Sequence, residues 1–145
     1  MRVIVQRVLN AKCIVDQEVV GKCQHGLLLL VAFTEGDTID FCQKMAEKVA
    51  NLRIFNDSED KMNLSVKDVK GSILSISQFT LYGDAKKGHR PSFINSLRKE
   101  EAEPLYLAFN DYLNNQNIPT EGGSFGNHMN LEVNLDGPVT ISLEL

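Results

Sequence analysis

Three features of the sequence predict an α+β fold. Strand-like alternation opens the chain at RVIVQRVL and returns around NLDGPVTI near its end, GLLLLVAF is an unbroken apolar run, and two longer stretches carry apolar residues at three-four spacing. The 145 residues suit one domain, 1–145. A chain of that length buries about two thirds of its unfolded surface without metal or disulfide support.

In RVIVQRVL, Val3, Val5, Arg7 and Leu9 share one face, and Arg2, Ile4, Gln6 and Val8 the other. Arg7 therefore points with the apolar residues. A guanidinium placed there must find acceptors, either as a clamp on backbone carbonyls or as part of a site. A second strand is expected at Lys12 to Val15, a turn at Asp16 to Glu18, and then Gly26 to Phe33 as a strand buried on both faces. Asp37 or Thr38 caps a helix whose core face is Cys42, Met45, Ala46, Val49 and Leu52. Arg53 to Phe55 begins another extended piece ahead of the polar loop NDSEDK, and Ser72 to Ser77 forms a strand that runs into QFTLYGD. A second helix is expected to start near Pro104, a residue suited to a first turn, and to bury Leu105, Ala108, Phe109, Tyr112 and Leu113 before Pro119 turns the chain out. The last third reads as loop and hairpin. Leu131, Val133 and Leu135 alternate on one side of Asp136-Gly137, and Val139, Ile141, Leu143 and Leu145 on the other, which makes Asp136-Gly137 a hairpin turn. Pro138 is the odd member: it cannot donate a ladder hydrogen bond, and an X-Pro bond is the one peptide bond that readily becomes cis.

Composition excludes several classes. The longest apolar run is too short for a membrane span of about twenty residues, and MRVIVQRV lacks the architecture of a signal peptide, so a soluble cytoplasmic protein is expected. Cys13, Cys23 and Cys42 include no CxxC pair, which gives no disulfide framework or zinc knuckle. The net charge of −4 argues against a nucleic-acid partner only on average. From Ala85 to Lys99 there is no acid, while Lys86, Lys87, Arg90, Arg98 and Lys99 supply a third of the 15 basic residues. Such a segment is either a phosphate-binding loop or a solvated basic loop without a partner.

No GxSxG elbow, HExxH, P-loop or GxGxxG occurs, and His25, His89 and His128 are scattered without an orienting carboxylate at helical spacing. Small polar residues gather instead in SQFTLYGD, GGSFGNHM and DGPVT. Ser77, Gln78 and Thr80 fall at the end of an apolar strand, where backbone amides can leave the ladder. The segment is a candidate oxyanion site or an edge whose hydroxyls satisfy local backbone groups. Glycines flanking Phe125 allow close approach of a planar ligand, for which Phe125 and Met129 offer an apolar face; a Phe so placed can equally plug the core.

Taken together, MRVIVQRV, KVANLRIF, KMNLS, SQFTLYGD, KKGHRPSF, AEPLY, GSFGNHM and DGPVT resemble the D-aminoacyl-tRNA deacylase family, in order along nearly the whole chain. Departures from the commoner pattern are GSFGNHM where GxFGADM is usual, LDGPVT for NDGPVT, and YGDAKKGHRPSF for YADTRKGRRPSF. The resemblance implies hydrolysis of the ester between a D-amino acid and the terminal adenosine of tRNA, with action also on glycyl-tRNA formed on the alanine tRNA, and no metal or cofactor. It places a catalytic pocket at Ser77, Gln78, Phe79 and Thr80, with the oxyanion held by amides near Phe79 and Thr80 and attack assisted by the ribose 2′-OH. Thr80 as a covalent nucleophile is the alternative, though no base accompanies it in the sequence. In the family, a Gly-Pro pair with a cis bond projects from one subunit of a homodimer into the other's active site and excludes L side chains. Gly137 and Pro138 match that pair, and Arg7 is the expected clamp on its carbonyls. Phe125 and Met129 would meet the terminal adenosine, Gly123 and Gly126 permit the approach, and Lys86, Lys87 and Arg90 would meet phosphates.

The combined expectation is a mostly antiparallel, barrel-like sheet covered by two main helices, with a C-terminal hairpin carrying a Gly-Pro turn, acting on aminoacyl-tRNA as a homodimer. Two other classes stay open: an RNA-binding module that releases no amino acid, and a small hydrolase of free D-amino acid esters or peptides.

Overall fold

A computed structural model describes residues 1–145. The strands are β1 (Arg2–Val15), β2 (Glu18–Cys23), β3 (Gly26–Ala32), β4 (Phe55–Asn56), β5 (Met62–Leu64), β6 (Ser72–Ser77), β7 (Thr120–Gly122) and β8 (Asn130–Glu144). The helices are α1 (Ile39–Ala50) and α2 (Lys99–Asn114), with a single 3-10 turn at Phe79–Tyr82. The α+β expectation holds, with two helices against a sheet in the order β2-β1-β3-β6-β7. Antiparallel pairing joins β1 to β2, β3 and β8, whereas β3-β6 and β6-β7 are parallel.

The two expected N-terminal strands are one. β1 runs unbroken, with β8 along one edge and β3 and β2 taking successive stretches of the other. Its register against β8 shifts on both sides of Val8, and the bulge re-phases the strand. Val3, Val5 and Arg7 face the helices, but Leu9 does not follow them inward and is 47% exposed. Past the bulge, Ala11 and Cys13 join Val8 inside the curled sheet.

β2 and β7, the ends of the sheet order, meet and nearly close a barrel. The Lys22 N–H donates to Glu121 Oε2 at 2.9 Å. A Cβ on Gly21 would lie 2.3 Å from the Gly122 carbonyl oxygen, so this seam requires glycine. Val8, Ala11, Cys13, Cys23, Leu28, Leu74 and Ile76 fill the interior. The opposite faces of the same strands, including Leu27, Leu29, Val31 and Ile73, pack under α1 and α2. GLLLLVAF is apolar throughout because β3 is covered on both sides.

α1 is capped by Thr38, whose hydroxyl accepts from the Phe41 N–H at 3.4 Å, and it buries Cys42, Met45, Ala46 and Val49 as the spacing requires. α2 starts at Lys99, so Pro104 sits inside the helix rather than in its first turn. Pro104 is exposed, and the buried row Ala102, Leu105, Tyr106, Phe109 and Leu113 carries the helix past the one missing N–H. QFTLYGD does not extend β6 either; it tightens into the 3-10 turn.

The C-terminal hairpin is absent. Both halves of β8 pair with β1, Leu135 opposite Val8 and Thr140 opposite Gln6, and the residues between them loop out as a bulge of a single strand. Alternation on either side of Asp136-Gly137 is the same in both topologies, and what separates them is the partner, not the pattern. Within the bulge Gly137 has φ +115°, and the Gly137-Pro138 peptide is cis.

Candidate active site

β6 ends at Ser77, and the turn that follows determines what the chain can do there. The Gln78 N–H remains tied to the Val31 carbonyl at 2.7 Å. Phe79 and Thr80 then open the 3-10 turn, whose first amides have no acceptor within the helix. The turn is anchored from outside by Ser96 Oγ, which donates to the Phe79 carbonyl at 2.8 Å, and the residue after Ser96 is tied down in turn by the Leu97 N–H on the Phe33 carbonyl at 2.9 Å. Free amides on a fixed turn are suited to an oxyanion. Thr80 Oγ1 accepts a hydrogen bond from Gln78 Nε2. That partner is an amide, which cannot take the hydroxyl proton.

Across from the turn lies the GSFGNHM loop. Gly123 is held by its N–H on the Ser75 carbonyl at 2.9 Å, an oxygen that also accepts from Tyr106 Oη at 2.6 Å. The Phe125 ring packs on Tyr106 with centroids 5.5 Å apart. A Cβ on Gly123 would come 2.7 Å from Met129 Sδ and 2.8 Å from Ile76 Cδ1, so glycine here is what lets Met129 lie flat on the barrel. Gly126 has φ +75° and turns the loop back.

Between the two segments is a cavity of about 520 Å³. Ser77, Gln78 and Phe79 line it on one side, Phe125, Gly126 and Met129 on the other. Residues nearly fifty positions apart in sequence are thus brought to one site. Gly123 supports it from behind, and Thr80 is next to it on the turn.

The sequence had not singled out Lys99 at the start of α2, which lines the cavity together with Asn127 and His128. No carboxylate does so. In the sequence Lys99 belongs only to the acid-free basic segment; it reaches the cavity because α2 begins five residues before Pro104.

The remaining candidates lie elsewhere on the chain. Lys86, Lys87 and Arg90 are exposed on the loop after the 3-10 turn and do not line the cavity. Nor do Gly137, Pro138 and Arg7. Arg7 is 8% exposed, and its guanidinium donates to the Ile54 carbonyl at 2.7 Å and to Asn56 Oδ1 at 3.3 Å. Its Nε lies 2.9 Å from Asp136 Oδ2, in charge contact though not aimed for a hydrogen bond. Arg7 is therefore a clamp, but it grips the Ile54 carbonyl and the foot of the bulge; no hydrogen bond joins it to the carbonyls of Gly137 or Pro138.

Fold and cavity together define a small α+β barrel protein with a mostly apolar cavity beside a 3-10 turn. Residues 4–144 match the family model described as D-Tyr-tRNA(Tyr) deacylase. The chain is 51% identical to a D-aminoacyl-tRNA deacylase of Geobacillus sp. (strain WCH70), over 99% of this chain and 95% of that protein. It is 52% identical to one of Brevibacillus brevis, over 99% of both. Among solved structures it is similar to the c-Myc DNA Unwinding Element Binding Protein, at 36% identity and TM-score 0.94, covering 100% of this chain and 99% of the other. A probable eukaryotic D-amino acid tRNA deacylase shares the fold, at 19% identity and TM-score 0.84 over 99% and 98% of the two chains. The chain belongs to the D-Tyr-tRNA(Tyr) deacylase family.

Proposed function

We propose that this protein hydrolyses the ester of D-aminoacyl-tRNA, releasing free tRNA and the D-amino acid. The observation that carries the reading is one cavity holding both an apolar face for a base and a fixed turn with amides free for an oxyanion. An aminoacyl ester is already activated, and its neighbouring ribose 2′-OH assists attack, so the protein need only position the ester and stabilise the developing charge. One oxyanion donor is worth about 2.7–4 kcal/mol. Phe125 and Met129 hold the terminal adenosine, and Ser77 and Gln78 shape the ester pocket. Lys86, Lys87 and Arg90 take acceptor-stem phosphates, so efficiency falls with salt. The cytoplasm, where aminoacylated tRNA is used, is the place for this activity.

Chirality needs rejection, because attraction through a variable side chain cannot tell D from L. The bulge at Gly137 and Pro138 is exposed and lies outside its own chain's cavity. This supports a homodimer in which the Gly-Pro tip of one subunit enters the other's site, its backbone leaving no room for an L side chain. Glycine, having no side chain, escapes the exclusion, which brings glycyl-tRNA formed on the alanine tRNA within reach.

Incubation with D-tyrosyl-tRNA, L-tyrosyl-tRNA and D-tyrosine ethyl ester, with release of tyrosine measured, tests the reading. Release confined to D-tyrosyl-tRNA is expected. Binding without release would make the protein an RNA-binding module, and release from the ethyl ester at a comparable rate would make it a small-ester hydrolase.

A further inference from the structure

We propose that Lys99 binds the phosphodiester that joins the terminal adenosine to the preceding nucleotide, and so fixes which way the substrate lies in the cavity; this rests on the reading that the cavity takes the 3′ end of tRNA. Lys99 enters none of the ion pairs and donates no side-chain hydrogen bond, although it lines the cavity. Its stem lies directly on Gly126: a Cβ there would be 2.7 Å from Nζ, 2.9 Å from Cε and 3.5 Å from Cδ. Gly126 thus makes room for an extended lysine beside Phe125, the residue offered to the base.

Charge decides the orientation. Glu100 and Glu101 follow Lys99 on α2 but do not line the cavity, so within the lining Lys99 is the one Lys or Arg and no Asp or Glu faces it. The aminoacyl end of the substrate carries an α-ammonium, which a cation repels, so Lys99 marks the opposite end. An adenosine seated on Phe125 and Met129 brings its 5′-phosphate one ribose away, at the cavity wall. Lys86, by contrast, lines a separate cleft with Arg2, Tyr82 and Asp84, and serves phosphates farther along the strand.

Binding of adenosine and of the dinucleotide cytidylyl-adenosine, which carries the one phosphate, is measured for the wild type and for Lys99→Ala and Lys99→Arg. Lys99→Ala is expected to weaken the dinucleotide about tenfold and leave adenosine unchanged. It should also remove most of the salt dependence of dinucleotide affinity, since the charge pair that salt screens is gone. Lys99→Arg restores both. Lys99 is exposed, so folding is retained. Equal loss for both ligands, or loss for neither, would overturn the proposal. This binding pattern in a protein that releases nothing from D-tyrosyl-tRNA would overturn the hydrolase reading and leave the phosphate contact standing.

Discussion

Thr80 carries the sharpest question at the level of single residues. Its hydroxyl accepts from Gln78 Nε2 and so keeps its own proton, with no base to remove it. Thr80→Ala is expected to keep D-tyrosyl-tRNA deacylation within about tenfold of wild type. Loss of about 10⁴-fold or more in kcat, the scale for removing a catalytic nucleophile, would overturn RNA-assisted catalysis. The cysteines make a second prediction. Burial pushes the thiols of Cys23 and Cys42 up to about 11, with Asp37 adding to the effect at Cys42. A thiol whose folded value lies above its ordinary 9.0 contributes stability that is complete below pH 9 and lost as pH rises through 11. Urea midpoints should therefore fall across that window, and less steeply in Cys42→Ala. Arg7 was legible as an inward cation from parity alone. Its acceptors were not, because Ile54 and Asn56 reach it through the tertiary fold.

Periodicity gave the helices most of their faces at the level of elements: α1 buries Cys42, Met45, Ala46 and Val49, but Leu52 lies past its end and is half-buried, and in α2 Tyr106 is buried where Ala108 and Tyr112 are only half-buried. Boundaries and partners followed other forces. Pro104 marks a helix start by local chemistry, yet packing of Ala102 against the core draws α2 back to Lys99. Alternation located both halves of β8 but not whether they pair with each other or with β1. The barrel seam was illegible for the same reason, because a glycine in a strand does not say whose backbone approaches it. Gly21→Ala tests that seam. Its Cβ would meet the Gly122 carbonyl oxygen at 2.3 Å, a backbone atom that cannot swing aside. A loss of about 1–3 kcal/mol is expected, read as a Tm lowered on the order of 3–12 °C. Val20→Ala, on the exposed side of the same strand, should change Tm little.

Site and bulge are separated in the single chain, and the proposed chiral filter requires two copies to meet. β8 pairs with β1 along one edge, and its bulge carries Gly137 and Pro138 outward beside an exposed Leu135. If each tip serves the other subunit's cavity, the two functions must complement between chains. Phe125→Ala removes the ring proposed to hold adenosine and should abolish activity in a homodimer, whereas Pro138→Ala should admit L-tyrosyl-tRNA while the fold survives on the ladder either side of the bulge. Mixed dimers discriminate. In a dimer of one Phe125→Ala and one Pro138→Ala chain, the only intact cavity belongs to the Pro138→Ala subunit and receives its tip from the Phe125→Ala subunit, whose Pro138 is native. Re-equilibrated mixtures should then hydrolyse D-tyrosyl-tRNA and regain rejection of L-tyrosyl-tRNA as the Phe125→Ala chain is added in excess. Were each tip to serve its own chain, the added chain would leave L-tyrosyl-tRNA hydrolysis per Pro138→Ala subunit unchanged. The ratio of L to D hydrolysis at rising excess of the Phe125→Ala chain therefore reads directly whether selection is made within a chain or between two.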